Sequence, residues 1–175
     1  MKTVAVAVNK VLAFPVEVIY FLSFVIPFIF DHPQLLTGTV VNTLLYVAAA
    51  KMDRKMIIPV IAVPSLATVL HGVVFGAFTP FLLFFIPFIW IGNFMLVEVF
   101  KLERFNPVVR VVLAAGLKAV FLFLIANIYV SLRIVPGIFL TAMGVFQFAT
   151  AVLGGLAAVV ILKMSVQKKE ASVTK

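Results

Sequence analysis

Lys118 lies near the centre of the apolar run 108–130, whose one other cation, Arg110, is at its edge. A cation inside a run long enough to cross a bilayer is costly. It normally faces protein or water and marks a candidate functional site. Two chemistries fit it. The ammonium can close a buried ion pair with Glu17, locking a helix bundle, or it can hold the anionic group of a ligand. Glu17 stands about six residues into its own run and Lys118 about ten into its run. At about 1.5 Å per residue, the two depths differ by roughly 6 Å, so the pair is possible in depth.

The other polar side chains inside apolar runs are Asn42, Thr43, Ser65, His71, Asn93, Glu98, Asn127, Gln147 and Thr150. Three stripes at helical spacing mix polar and aromatic groups: Glu17, Tyr20, Phe24 and Pro27; Ile86, Trp90, Asn93 and Val97; Lys118, Phe121, Ile125 and Tyr129. Each suits a small-molecule pocket, but any single stripe of this kind is more often an ordinary helix interface. The pocket reading places Trp90, Asn93, Lys118 and Tyr129 around one outward-opening cavity. Glu98, one turn from Lys101, is expected to reach the cytoplasmic membrane interface. His71 stands alone. Asp31 with His32 and Gln34 reads as a helix start, with Asp31 as cap and Pro33 just behind it, rather than as a metal site. No HExxH or Cys–His spacing is present.

The elements that must position these groups are membrane helices. The chain of 175 residues is 65% hydrophobic and 11% charged, far from the balance of a soluble domain. Hydropathy and punctuation divide it into six spans near 11–30, 35–50, 56–77, 80–100, 108–130 and 137–162, an all-α, six-helix transmembrane bundle. Pro33, Pro80, Pro107 and Pro136 stand near helix starts, while Pro64 and Pro87 fall within spans as expected kinks. Residues 1–164 form one domain and 165–175 a polar cytoplasmic tail expected to fray. Asn9 and Lys10 interrupt the first apolar run, so a cleaved signal peptide is not expected.

Net charge is +8. Topology explains that surplus better than nucleic-acid binding does. Of the 14 Lys and Arg, all but Lys118 and Arg133 fall on one side of a six-span model, which sets both termini in the cytoplasm. Residues 51–55 and 101–106 are then cytoplasmic, and 31–34 and 131–136 outside. The last span carries Gly144, Gln147, Ala151, Gly154 and Ala158 on one face, a close-packing surface.

No cysteine is present, which removes thiolate catalysis, disulfides and Cys-held clusters. Walker A and GxSxG motifs are also missing, so neither nucleotide hydrolysis nor a nucleophile elbow is expected, and no cofactor is implied.

Two stretches carry a resemblance. One is His32-Pro33-Gln34-Leu35-Leu36-Thr37-Gly38-Thr39-Val40-Val41-Asn42. The other runs through Pro64-Ser65-Leu66, Gly72-Val73-Val74-Phe75-Gly76 and Pro87-Phe88-Ile89-Trp90-Ile91-Gly92-Asn93. With six short helices, they resemble the S components of energy-coupling factor (ECF) transporters, small membrane subunits of prokaryotes that capture vitamins and other micronutrients. The resemblance implies a substrate entering from outside into a pocket of the later helices under the first outer loop, with Gln34 and Asn42 added to its lining. It also implies docking on a transmembrane coupling subunit with two ATPase subunits, in the cytoplasmic membrane. The chain departs from the family's Ala-x-x-x-Ala docking motif, since Ala13 is followed by Glu17 and Ala5 by Asn9. Two other functions fit the residues: a structural subunit of a larger membrane complex, and a small proton-coupled carrier using Glu17, His71 and Lys118.

Overall fold

The computed structural model describes residues 15–29, 34–71 and 76–173. Among them every regular element is a helix, without a strand. Helix α1 is Val16–Ile29, α2 Gln34–Lys51 and α3 Arg54–His71; a 3-10 segment, Gly76–Phe85, leads into α4, Ile86–Phe100. Then follow α5, Pro107–Ser131, the short α6, Ile138–Met143, and α7, Val145–Val173. Asp31, His32, Pro33 and the glycine-containing turn 72–75 lie outside the described residues, as does the start of the expected 11–30 span.

Four stretches are long and apolar enough to cross a membrane: Arg54–His71, Phe78–Phe100, Pro107–Ser131 and Ile138–Ser165. Val16–Ile29 is apolar but shorter. The surface agrees with a lipid environment. On α5, Val112, Leu113, Leu117, Val120, Phe123, Leu124 and Ile128 are exposed, while Lys118 is buried at 3% exposure. That inverts the soluble pattern, in which apolar side chains go inside and lysine stays in water. These features make the chain a multi-pass membrane protein.

Local chemistry sets several boundaries. At the start of α5, Asn106 is extended and its side chain accepts from the Val109 N–H at 2.9 Å, with Pro107 in the first turn, where no N–H is needed. The helix ends in a double backbone bond. The Ile134 N–H donates to Tyr129 O and the Arg133 N–H to Val130 O, both at 2.9 Å, with Arg133 at φ 57°. This is a Schellman closure with arginine where glycine is usual.

Three expectations need correction. Pro87 does not kink a span; it occupies the first turn of α4, where the 3-10 segment hands over to α-helix. The last span is not continuous, because it breaks at Gly144 (φ −98°, ψ −94°) between α6 and α7. The polar tail does not leave the helix at Ser165. Its backbone stays helical to Val173, since the Gln-Lys-Lys-Glu-Ala stretch favours helix and holds no glycine or proline.

The first buried cluster surrounds Tyr46, Leu45, Ile57, Leu96, Phe100 and Val111; the second surrounds Phe85, Phe139, Leu122 and Met143. Helix α2 joins the bundle together, touching α1, α3, α4 and, most extensively, α7. Glycine makes the α2–α7 approach possible. A Cβ on Gly154 would stand 2.6 Å from Thr39 O and 2.8 Å from Thr43 N, both backbone atoms. Gly154, Ala151 and Ala158 are buried, so the small-residue face of this helix is a packing face within the bundle.

Candidate functional site

Lys118 is placed by the inward seam of α5, which also buries Val111, Ala114, Ala115, Ala119, Leu122 and Ala126. The four alanines leave room beside the long lysine stem. Its Nζ donates to Asn42 Oδ1 at 2.8 Å. Asn42, buried on α2, passes the bonding on: its Nδ2 donates to Gly38 O at 2.9 Å and to Thr150 Oγ1 at 3.2 Å. Thr150 in turn donates to Phe146 O at 2.8 Å. One chain of polar groups thus ties α5 to α2 and α2 to α7.

These groups line a cavity of about 110 Å³. Its wall combines Asn42, Asn93 and Lys118 with Gln34, Gln147, Thr37, Thr68 and Ser65 on the polar side, and Val41, Leu82, Ile89 and Met143 on the apolar side. Gln34 is the first residue of α2, so the cavity lies toward the end of the bundle opposite Lys51. It also lies where the two apolar clusters meet, since Leu82 and Met143 belong to the second and Val41 packs on the first.

The wall is incompletely satisfied. An ammonium has three N–H donors, and Asn42 takes one of those on Lys118. Asn93 Nδ2 donates to Ile61 O at 3.1 Å, while its Oδ1 is buried without a hydrogen-bond partner. A buried orphan acceptor is rare enough to need a reason. Two spare donors on Lys118 and one spare acceptor on Asn93 therefore share a cavity, in a setting where each unmet group is costly.

The six expected pocket residues divide. Gln34, Asn42, Asn93 and Lys118 come together on the cavity wall. Trp90 stands behind it, its indole N–H donating at 2.8 Å to Ser65 Oγ, which does line the wall. Tyr129 belongs elsewhere. It packs on Phe84, Phe85 and Phe88 in the second cluster, and its hydroxyl donates to Phe84 O at 3.4 Å. Tyr129 shares a stripe with Lys118 but sits eleven residues further along, about 16 Å up the helix axis, which is too far for one small cavity.

The expected Glu17–Lys118 pair is not formed. Glu17 is exposed on α1, whose inward residues are Ile19, Ser23 and Pro27, and the Lys118 ammonium bonds to Asn42 instead. Tyr20 from the same expected stripe turns to α3, donating to Met56 O at 2.8 Å. His71 meets Phe28 edge-on with ring centroids 5.8 Å apart. Glu98 pairs with Arg54 across α3 and α4. Ser65 and Gln147 were legible as polar residues in apolar runs, while Thr68 was not singled out; the place of all three on this wall follows from helix neighbours that spacing alone does not give.

Among the described residues, no group of three or more His, Cys, Asp or Glu could hold a metal ion. No protein-family model, curated protein or solved structure matches the chain.

Proposed function

We propose that the chain is a small-molecule capture subunit of the membrane, of the ECF S-component kind. In this reading it crosses the cytoplasmic membrane of a prokaryote six times with both termini inside, and it takes a micronutrient from outside. The observation that supports it is the unfinished wall of the cavity: spare Lys118 donors and a bare Asn93 acceptor in the middle of an apolar bundle. A ligand carrying an anionic or carbonyl oxygen for Lys118 and an N–H or O–H for Asn93 Oδ1 completes both. Among the described residues the one salt bridge, Arg54–Glu98, lies elsewhere, so an anionic ligand group supplies the countercharge that Lys118 lacks. Asn42 holds the ammonium in place, and Ser65, fixed by Trp90, sets one side of the wall. The chain has no nucleotide loop, so energy for release comes from partners: a coupling membrane subunit and two ATPase subunits.

A second reading has its own support. The Lys118–Asn42–Thr150 chain spans three helices, and about 110 Å³ is below the roughly 300 Å³ at which ligand pockets usually begin. Both suit a structural subunit whose polar residues brace its helices.

Gentle purification of the tagged full chain from its native membrane separates the two. The capture reading expects copurifying ATPase subunits with their coupling protein, and a small polar molecule released when the preparation is denatured. A preparation that releases no such molecule and brings down a stable complex without ATPases favours the structural subunit.

A further inference from the structure

A second concavity lies at the opposite end of the bundle. It holds about 690 Å³ between the C-terminal ends of α2 and α4, the first turn of α5, and α7. Its rim carries Lys101, Arg110 and Lys163 against a single carboxylate, Glu103, and its floor includes Val159 and Leu162. Arg110 is anchored: its Nη1 donates to Phe100 O at 3.1 Å and its guanidinium lies 5.1 Å from the centre of the Phe100 ring. Its Nε is buried with no hydrogen-bond partner. Three cations therefore converge on one hollow, and no described salt bridge neutralises any of them. The first turn of α5, at Pro107 and Arg110, sets a positive helix end on the same side.

The geometry points to this groove as a seat for the phosphate head of an anionic glycerophospholipid, whose chain lies along Val159 and Leu162. The proposal rests on the bilayer reading of the helices, not on the cavity at Lys118. Three features select a lipid. The volume is several times that of a phosphate ion. The floor is apolar and close to exposed side chains such as Leu156 and Val160 on the same helix. The site also lies at the end where the chain gathers its basic residues, which the charge asymmetry assigns to the cytoplasmic leaflet, where anionic lipids concentrate. Basic pockets between helices on that side are suited to such head groups.

The test compares retention of phosphatidylglycerol and of phosphatidylcholine with matched chains on the full-length protein, by native mass spectrometry from detergent. Phosphatidylglycerol is expected to be preferred. In the K101Q/K163Q variant that preference should fall about tenfold or more, since each cation near a lipid head contributes to its attraction. Arg104→Gln removes one positive charge outside the groove and should leave the preference intact. Glu103→Gln removes the lone carboxylate and should strengthen it, which keeps the test decisive if the double variant folds poorly. Equal retention of the two lipids overturns the proposal, as does an Arg104→Gln loss matching that of K101Q/K163Q, or an unaltered preference in both groove variants. Displacement of phosphatidylglycerol by millimolar inorganic phosphate also overturns it, by assigning the groove to a soluble anion.

Discussion

The two hollows of this bundle handle positive charge in opposite ways. Around Lys118 one cation is buried deep and held by neutral groups, with its Asn42 partner braced by Gly38 and Thr150. Around Arg110 three cations share a wider groove at the bundle's end, with one carboxylate among them. A buried ammonium must be hydrogen-bonded to be tolerated at all, so its neighbours are fixed by stability as well as by any ligand. Cations at a membrane surface keep access to water and head groups, so their surplus costs little. Substitutions in the inner hollow should therefore change both stability and binding, whereas those in the outer groove should change binding alone.

The largest effect is expected where the inner hollow borrows its shape, at the α2–α7 seam. Gly154→Val would drive side-chain atoms into the backbone of Thr39 and Thr43. It should cost about 3 kcal/mol or more, at the upper end for overpacking, and should separate Asn42 from Thr150. Thermal unfolding in detergent reads this directly; an unchanged melting temperature would mean that the two helices do not approach as closely as described.

Next comes the ammonium's own partner. Lys118→Met removes the donor to Asn42 Oδ1 and should cost about 1–3 kcal/mol, the penalty for a buried acceptor left bare. The same change made with Asn42→Leu should cost less than the sum of the two single changes, by about 0.5–3 kcal/mol of coupling. Strict additivity in that cycle would show that the pair contributes nothing jointly. In contrast, K101Q/K163Q should stay within about 0.5 kcal/mol of the parent, as surface changes do. A large loss there would dissolve the contrast between the hollows.

The smallest effect concerns Lys51, just past the second span and at the groove end of the bundle. Its Nζ is buried without a hydrogen-bond partner, and burial lowers the ammonium to about 8. A lysine whose folded value lies below its unfolded value penalises the fold when charged. That penalty is complete below about pH 8 and disappears as pH rises through the unfolded value of about 10.4. Melting temperature should thus rise slightly between pH 7 and pH 9.5, and Lys51→Met should flatten that slope. The gain is on the order of 1 kcal/mol or less, because Lys51 is only partly shielded from solvent. A slope unaltered in Lys51→Met assigns the effect to another group.

Much of the inner hollow was legible from residue type. A lysine and two asparagines in apolar runs have few tolerable places other than the interior, and Asn42, Asn93 and Lys118 do share one wall, with Gln34, read from its neighbours as a helix start, at its edge. The pairing was not legible. Depth along a helix follows from counting, but which helix lies beside it does not, so Glu17 looked as suitable for Lys118 as Asn42 proved to be. Tyr129 failed for the converse reason: a shared face was visible, but axial distance separates it from the cavity. At the other end, Lys101, Arg110 and Lys163 stand far apart in sequence and read as markers of topology. Their convergence depends on how α4, α5 and α7 end together. The break at Gly144 has no strong signal either, since glycine on a small-residue face reads equally well as packing.

The most direct test of the account is native mass spectrometry of the full chain and of Lys118→Met, each released gently from the membrane in which it was made. The account predicts a small non-lipid molecule on the parent protein and none on Lys118→Met, with anionic lipid still present on both. Retention of the same small molecule by Lys118→Met would contradict it. So would its absence from both proteins together with a lower melting temperature for Lys118→Met, which would make Lys118 a brace between helices and not a ligand contact.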